Sequence, residues 1–175
     1  YIDRVSGDRI SAYMSADQSF ASKRNDVLQF SSNRLEKDIT ICGPVTAILT
    51  ASTTGTDADF IVKIIDIMPD EKQTQRLVRA EVIRGKFRNS YEIPEPFVPN
   101  TPTQVKLILN DVAHTFLKGH RIMIQIQSSW FPLVDRNPQQ FINIPTANDS
   151  DYKKATITIH HNDAHPSFID ALQLK

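Results

Sequence analysis

Apolar and polar side chains alternate with a period of two along much of the chain. The clearest case is residues 121–129, in which three isoleucines alternate with other side chains: Ile122, Met123, Ile124, Gln125, Ile126 and Gln127. Successive side chains of a β-strand point to opposite faces, so this pattern predicts a strand with one face in a core and the other mostly polar. We therefore expect Ile124→Ala to cost ~2–5 kcal/mol if the side chain is buried, and Gln125→Ala to cost little.

Other short runs rich in β-branched residues predict further strands, about nine or ten in all. Residues 60–68 are apolar on both faces apart from Lys63 and Asp66, which indicates a strand covered on both sides or a central strand with a bulge near Ile64. No apolar stripe of helical period is present, and we expect few helices, with one short turn near residues 111–114. The predicted strands are residues 27–31, 38–42, 45–54, 59–68, 75–84, 104–109, 121–129, 155–159 and 168–174.

Uneven spacing of these strands favours a two-sheet sandwich over an up-and-down barrel. Residues 92–102 carry four prolines, too many for a strand that needs backbone donors, and are expected to form a long loop. We predict an all-β fold of the jelly-roll type, with an immunoglobulin-like sandwich as the alternative. Residues 1–26 are mostly polar and are expected to be an irregular lead-in, and residues 27–175 a single sandwich domain.

Charge and composition narrow the possible partners. Lys plus Arg and Asp plus Glu are 20 each, so the chain lacks the basic footprint of a nucleic-acid-binding protein. No apolar run approaches the ~20 residues of a membrane-spanning helix, and we expect no membrane span. Cys42 is the only cysteine, which excludes an internal disulfide, and its place between Ile41 and Gly43 predicts a small buried side chain. The chain opens at Tyr1 without an initiator Met, so we expect it to belong to a longer polypeptide.

Catalytic and metal-binding patterns are weak. None of the five glycines frames a serine as Gly-x-Ser-x-Gly, the turn that presents a hydrolase nucleophile. His161, Asp163 and His165 would share one side of an extended segment and could converge on a metal, but a polar turn before Pro166 is the simpler interpretation. We therefore predict no catalytic, cofactor-binding or metal-binding residues.

Four aromatic residues are the candidate contact residues. Trp130, Phe131, Tyr91 and Phe97 could form a stacking platform for a sugar, or they could pack at a sheet end or against another domain, which we favour. A separate hypothesis concerns the charged turns: Asp57 could be tied to the turn at Asp135 and Arg136 by a buried ion-pair network.

Several motifs in order resemble one known family. They are Phe20, Ala21 and Ser22; Gly43, Pro44 and Val45; Thr54 to Phe60; Arg84 and Gly85; Phe116 to Ile122; Ser128 to Pro132; Asp135 to Pro138; and His165, Pro166 and Ser167. Together they resemble the C-terminal domain of the serine hydrolase family that contains X-prolyl dipeptidyl peptidases, cocaine esterase, glutaryl acylases and α-amino-acid ester hydrolases.

The resemblance implies a galactose-binding-like jelly roll that follows an N-terminal α/β-hydrolase domain and a helical cap. In this family the Ser, Asp and His of the active site precede the sandwich, so no catalytic residue is transferred here. The implied partner is the α/β-hydrolase domain of the same polypeptide, a bacterial-type enzyme acting on esters or amides, with homo-oligomerisation of the whole protein left open. The alternative is a stand-alone carbohydrate-binding or oligomerisation module.

Overall fold

Two antiparallel β-sheets face each other in the computed structural model, which describes residues 16–175. The elements are α1 (Ser19–Ser22), β1 (Val27–Ser31), β2 (Ile39–Thr53), β3 (Asp59–Ile67), β4 (Gln75–Arg84), β5 (Thr103–Phe116), β6 (Arg121–Gln127), β7 (Ile157–His160) and β8 (Phe168–Gln173). Short 3-10 turns occupy Gly85–Phe87, Ile144–Thr146 and Asp149–Asp151. None of the helices within the described part of the chain is long and apolar enough to cross a bilayer.

Sheet one has the strand order β1-β6-β3-β4, and sheet two has the order β5-β2-β7, with β8 also paired to β2. All of these pairings are antiparallel. The predicted all-β, two-sheet sandwich is confirmed. The finer jelly-roll assignment stays a prediction.

The main core lies between the two sheets. β2 contributes Val45, Ala47, Leu49 and Ala51, alternate residues of the strand that are all at most 1% exposed. Phe60, Val62 and Ile64 face them from sheet one. The neighbouring strand β5 adds Val105, Leu107, Leu109 and Phe116 on the same side of sheet two. Apolar burial of this extent is the main stabilising contribution of such a fold.

β2 is one strand where the sequence predicted two. Gly43 has a φ of 117°, and the register against β5 shifts between Pro44 and Thr46. The glycine and proline therefore form a bulge instead of a break, since a bulge tolerates a missing backbone donor. Cys42 lies on the face opposite Ile41 and is exposed, so the prediction that it is buried was wrong.

The predicted helical turn near residues 111–114 was also wrong. These residues belong to β5 and pair with β2, with Asp111 opposite Pro44 and His114 opposite Ile41. Asn110 takes a φ of 62° next to the bulge and lets the strand continue. Pairing with a long neighbouring strand overrides the local preference of this polar segment.

Both faces of sheet one are covered along its central strand, β3. β3 is central and buried along its whole length, and its register against β4 shifts between Ile64 and Ile65, as predicted. On the outer face, Gln125 is 0% exposed, and its amide donates to Ser22 Oγ (3.0 Å). The expectation that Gln125 contributes little is therefore revised, because the segment around α1 covers it.

Residues 1–15 of the predicted lead-in, which spans 1–26, lie outside the described residues. From residue 16 it is anchored to sheet one: Gln18 N donates to Gln75 O (2.9 Å), and Ala21 is fully buried. The division into a lead-in at 1–26 and a domain at 27–175 stays a prediction.

Candidate interdomain surface

Two long connections meet the short β2–β3 turn at the end of the sandwich where β3 begins, and Thr56 in that turn binds both. Its N–H donates to Gln139 O (3.1 Å), its carbonyl accepts from Phe97 N (2.9 Å), and its Oγ1 accepts from Phe141 N (2.8 Å). Thr56 lies in the β2–β3 turn, Phe97 in the proline-rich loop, and the other two residues in the connection after β6. Residues 128–156 and 91–102 are thus fixed against the same turn although both are largely irregular.

Buried carboxylates lie directly beneath this junction. Asp59 Oδ1 accepts a hydrogen bond from Asn137 Nδ2 (2.8 Å), and its Oδ2 lies 3.5 Å from Arg84. Burial raises the pKa of Asp59 to about 6. Asp57 is fully buried 4.0 Å from Lys86, and burial raises its pKa as well.

The predicted ion-pair network between Asp57 and the turn at Asp135 and Arg136 was wrong, because different residues connect the two turns. Asp57 faces Lys86, and the bond between the two turns is made by Asn137 to Asp59. A neutral amide satisfies the buried carboxylate at lower desolvation cost than a guanidinium would.

Two cations in the segment after β4 hold the two loops, Arg88 the proline-rich loop and Lys86 the connection after β6. Arg88 donates to the carbonyls of Glu95 (2.8 Å) and Pro96 (3.0 Å), and its guanidinium lies 4.3 Å from the ring of Phe97. Lys86 Nζ donates to Ile142 O (2.9 Å) in the second loop. The two loops therefore have defined positions relative to each other.

The four predicted contact residues divide into two kinds. Phe97 is 2% exposed and packs on Phe60, and Trp130 is 7% exposed and packs on Ile61. Tyr91 is 84% exposed and Phe131 is 47% exposed. The first pair anchors the loops to the core and presents no free ring face to a sugar, whereas the second pair offers apolar surface to a partner.

Arg136 stacks on two rings beside this surface. Its guanidinium carbon lies 5.8 Å from the centroid of Phe131 and 5.2 Å from that of Tyr152. Both distances are within the range of a cation–π interaction. We call Phe131, Arg136 and Tyr152 the arginine corner.

Sequence reasoning missed Lys63, whose ammonium group is enclosed between aromatic rings. The side chain is 0% exposed, lies 5.1 Å from the Trp130 ring and 5.6 Å from the Phe20 ring, and donates to Gln18 Oε1 (2.9 Å). Burial lowers its pKa to about 8, and the charge of Arg24 adds to this. The sequence signal for this enclosed cation was a lysine within an otherwise largely apolar predicted strand.

Histidines cluster at two places, and the first cluster surrounds Asp66. Asp66 accepts from His114 Nε2 (3.0 Å) and His120 Nδ1 (2.7 Å), which joins β3 to the opposite sheet and to the β5–β6 turn. Within residues 16–175, neither imidazole is hydrogen-bonded to a hydroxyl or thiol that could act as a nucleophile. We therefore assign this cluster an architectural role.

The histidine-rich segment after β7 forms a turn. Asn162 and His165 form an isolated bridge, and His160 Nε2 lies 2.9 Å from Ser52 Oγ. No group of three or more potential metal-ligating residues is found in the described part of the chain.

Fold and surface together define a small β-sandwich domain whose ordered loops present aromatic side chains and a stacked arginine at one end. The chain belongs to the family described as the X-Pro dipeptidyl-peptidase C-terminal non-catalytic domain, which matches residues 8–170. The family predicted from the sequence motifs is confirmed.

Individual relatives agree with this assignment. Cocaine esterase from Rhodococcus sp. (strain MB1 Bresler) is 31% identical over 154 residues, which are 88% of this chain and 26% of the esterase. The crystal structure of an aminopeptidase from the marine sediment archaeon Thaumarchaeota archaeon superposes with a TM-score of 0.91 at 38% identity, over 95% of this chain and 30% of the aminopeptidase. An α-amino acid ester hydrolase superposes with a TM-score of 0.88 at 37% identity, over 92% of this chain and 28% of that protein. The chain thus spans between a quarter and a third of each relative.

Proposed function

We propose that this domain docks on an α/β-hydrolase domain of the same polypeptide and forms one wall of its substrate cleft. The observation that carries the proposal is the match to a non-catalytic family in a chain that spans only 26–30% of its relatives. The relatives are an esterase, an aminopeptidase and an ester hydrolase, so the proposed substrates of the whole enzyme are esters or amides.

The hydrolase domain would supply the chemistry of this proposal. A serine attacks the carbonyl carbon, a histidine takes the serine proton and passes it to the leaving group, and an oxyanion hole stabilises the tetrahedral intermediate. The present domain would take no part in this chemistry and would only help to position the substrate. Loops at the end of a rigid sandwich suit that task, because the sheets hold them while their sequences adapt to a partner.

Tyr91 and Phe131 are the proposed contact residues. Both are exposed, and both lie on loops fixed through Thr56, Phe97 or Trp130. Aromatic side chains that bury a large area at little entropic cost are common at the centre of interfaces.

Hydrolysis by the chain alone provides the first test. The 175-residue chain should not hydrolyse a p-nitrophenyl ester above the rate in buffer. Turnover that disappears when one serine or histidine is substituted would overturn the non-catalytic assignment.

Docking is tested in the intact hydrolase. Phe131→Ser and Tyr91→Ser should lower the melting temperature and kcat/KM of the intact enzyme while leaving the stability of the 175-residue chain within ~0.5 kcal/mol. Leu172→Ser, on the exposed side of β8 and 59% exposed in the native residue, is the matched control. Equal behaviour of all three variants in the intact enzyme would contradict the proposed surface.

A further inference from the structure

The arginine corner has hydrogen-bond donors that no residue in the described part of the chain uses. Arg136 is exposed, and among residues 16–175 its guanidinium has neither a hydrogen bond nor an ion pair. Asp135 is adjacent in sequence and also exposed, yet it does not pair with Arg136. Among the described residues, the cation contacts the rings of Phe131 and Tyr152.

Stacking leaves the donors of the guanidinium available. A cation–π contact uses the charge of the guanidinium and forms no conventional hydrogen bond, so its five N–H donors remain without an acceptor among the described residues. Two parallel N–H bonds match the two oxygens of a carboxylate, and such bidentate pairs are among the stronger polar contacts in proteins.

The backbone on both sides of Arg136 is fixed. Trp130 is 7% exposed and its carbonyl accepts from Leu133 N (2.9 Å) and Val134 N (3.1 Å). Asn137 is 6% exposed and bonded to Asp59. The stacked arginine is therefore preorganised, which reduces the entropy lost when a partner binds.

We propose that the arginine corner receives an aspartate or glutamate side chain on the surface of the hydrolase domain. This inference rests on the docking proposed above and adds the chemistry of the partner. A protein carboxylate fits better than a free small anion because Leu133, 50% exposed, lies close in sequence to the cation, and a partner surface that binds the arginine would bury this apolar side chain as well.

The experiment compares the intact hydrolase with the 175-residue chain by hydrogen–deuterium exchange of residues 130–136. In the wild type, exchange should be about tenfold or more slower in the intact enzyme than in the chain alone. Arg136→Gln should remove most of this protection in the intact enzyme and leave the chain alone unchanged. Lys154→Gln, at an exposed lysine without a stacking partner two residues after Tyr152, is the matched control and should have no effect.

A second variant identifies the partner group. The amine introduced by Arg136→Lys should be joined by a zero-length carbodiimide to an Asp or Glu of the hydrolase domain, detected as a cross-linked peptide by mass spectrometry. No wild-type protection in the intact enzyme would overturn the docking of this corner and the inference with it. Wild-type protection that Arg136→Gln leaves intact, with no cross-link to a carboxylate, would overturn the inference and leave docking standing.

Discussion

Asn137 Nδ2 donates a hydrogen bond to Asp59 Oδ1 over 2.8 Å, between two side chains that are both nearly inaccessible to solvent. The bond joins the first residue of β3 to the connection that follows β6, 78 positions later in the chain. The orientation of the amide is supported on its other side, because Asn137 Oδ1 accepts from Gln139 N (2.8 Å). The Asn137 side chain thus orders a loop and offsets part of the free-energy cost of burying the Asp59 carboxylate.

Replacing that amide should destabilise the domain. Asn137→Ala leaves Asp59 with one fewer donor in a buried site and should lower the free energy of unfolding by ~1–3 kcal/mol in urea denaturation. Asp135→Ala, at an exposed position two residues earlier, should change it by no more than ~0.5 kcal/mol. Similar values for the two variants would show that the bond is unimportant.

The raised pKa of Asp59 should make stability depend on pH. Since its folded pKa is about 6 against an ordinary value of 3.8, the folded state binds more protons than the unfolded state between these values. The contribution of this group to stability is therefore complete below pH 3.8 and decreases as pH rises through 6. Asp59→Asn should flatten the profile between pH 4 and 7, by an amount on the order of 2 kcal/mol, measured by urea unfolding at several pH values. An unchanged profile would contradict the buried, protonatable carboxylate; Asp57, whose pKa is also raised, contributes in the same direction.

Lys63 should make the stability of the domain rise with pH in the alkaline range, which is opposite to the effect of Asp59. Its folded pKa is about 8 against 10.5, so between these values the unfolded state binds more protons and stability rises with pH. Trp130, the only tryptophan, reports the change directly, because deprotonation removes the charge 5.1 Å from its ring. Trp130 fluorescence should titrate with a midpoint near pH 8 in the wild type and not in Lys63→Met. A titration that persists in this variant would assign the signal to another group, and Lys154→Met serves as the exposed control.

Replacing Gln125 by alanine should destabilise the domain nearly as much as replacing its apolar neighbour Ile124. Gln125→Ala loses the bond to Ser22 and opens a gap under the segment around α1, which should lower stability by ~1–3 kcal/mol. Ile124→Ala, where the native side chain is only partly buried, should fall at the low end of the 2–5 kcal/mol range for such truncations. Gln104→Ala, at an exposed position of β5, is the control and should be close to neutral. If Gln125→Ala matched Gln104→Ala, the outer face of sheet one would be open to solvent.

Local alternation was enough to predict the parts of the fold that depend on one strand at a time. The buried positions from Val45 to Ala51 and the strand from Arg121 to Gln127 follow from the period of side chains along an extended chain. The continuity of β2 through Gly43 and the extension of β5 to Phe116 could not be predicted in this way. Both depend on hydrogen bonds to a neighbouring strand far along the sequence.

Exposure of individual side chains at the candidate surface was equally hard to predict. Tyr91 and Phe97 are six residues apart in the same loop, yet one is exposed and the other is in the core, because the loop turns inward where Phe97 N bonds to Thr56 O. The enclosure of Lys63 likewise requires Phe20 and Trp130 to meet over sheet one. An aromatic residue in the sequence indicates a position that makes contacts, but tertiary contacts determine whether its side chain is buried or exposed.

The pairing of β2 also has a consequence for how the domain is made. Its first half lies between β5 and β8, and Ile48 pairs with Phe168. During translation a ribosome must therefore synthesise beyond Gln173 before this sheet can close, and until then the flank of β2 that β8 later occupies stays unsatisfied. Folding dominated by such distant pairings is slow, typically milliseconds to seconds, so we expect nascent chains of this domain to depend on chaperones that shield an unfinished sheet edge.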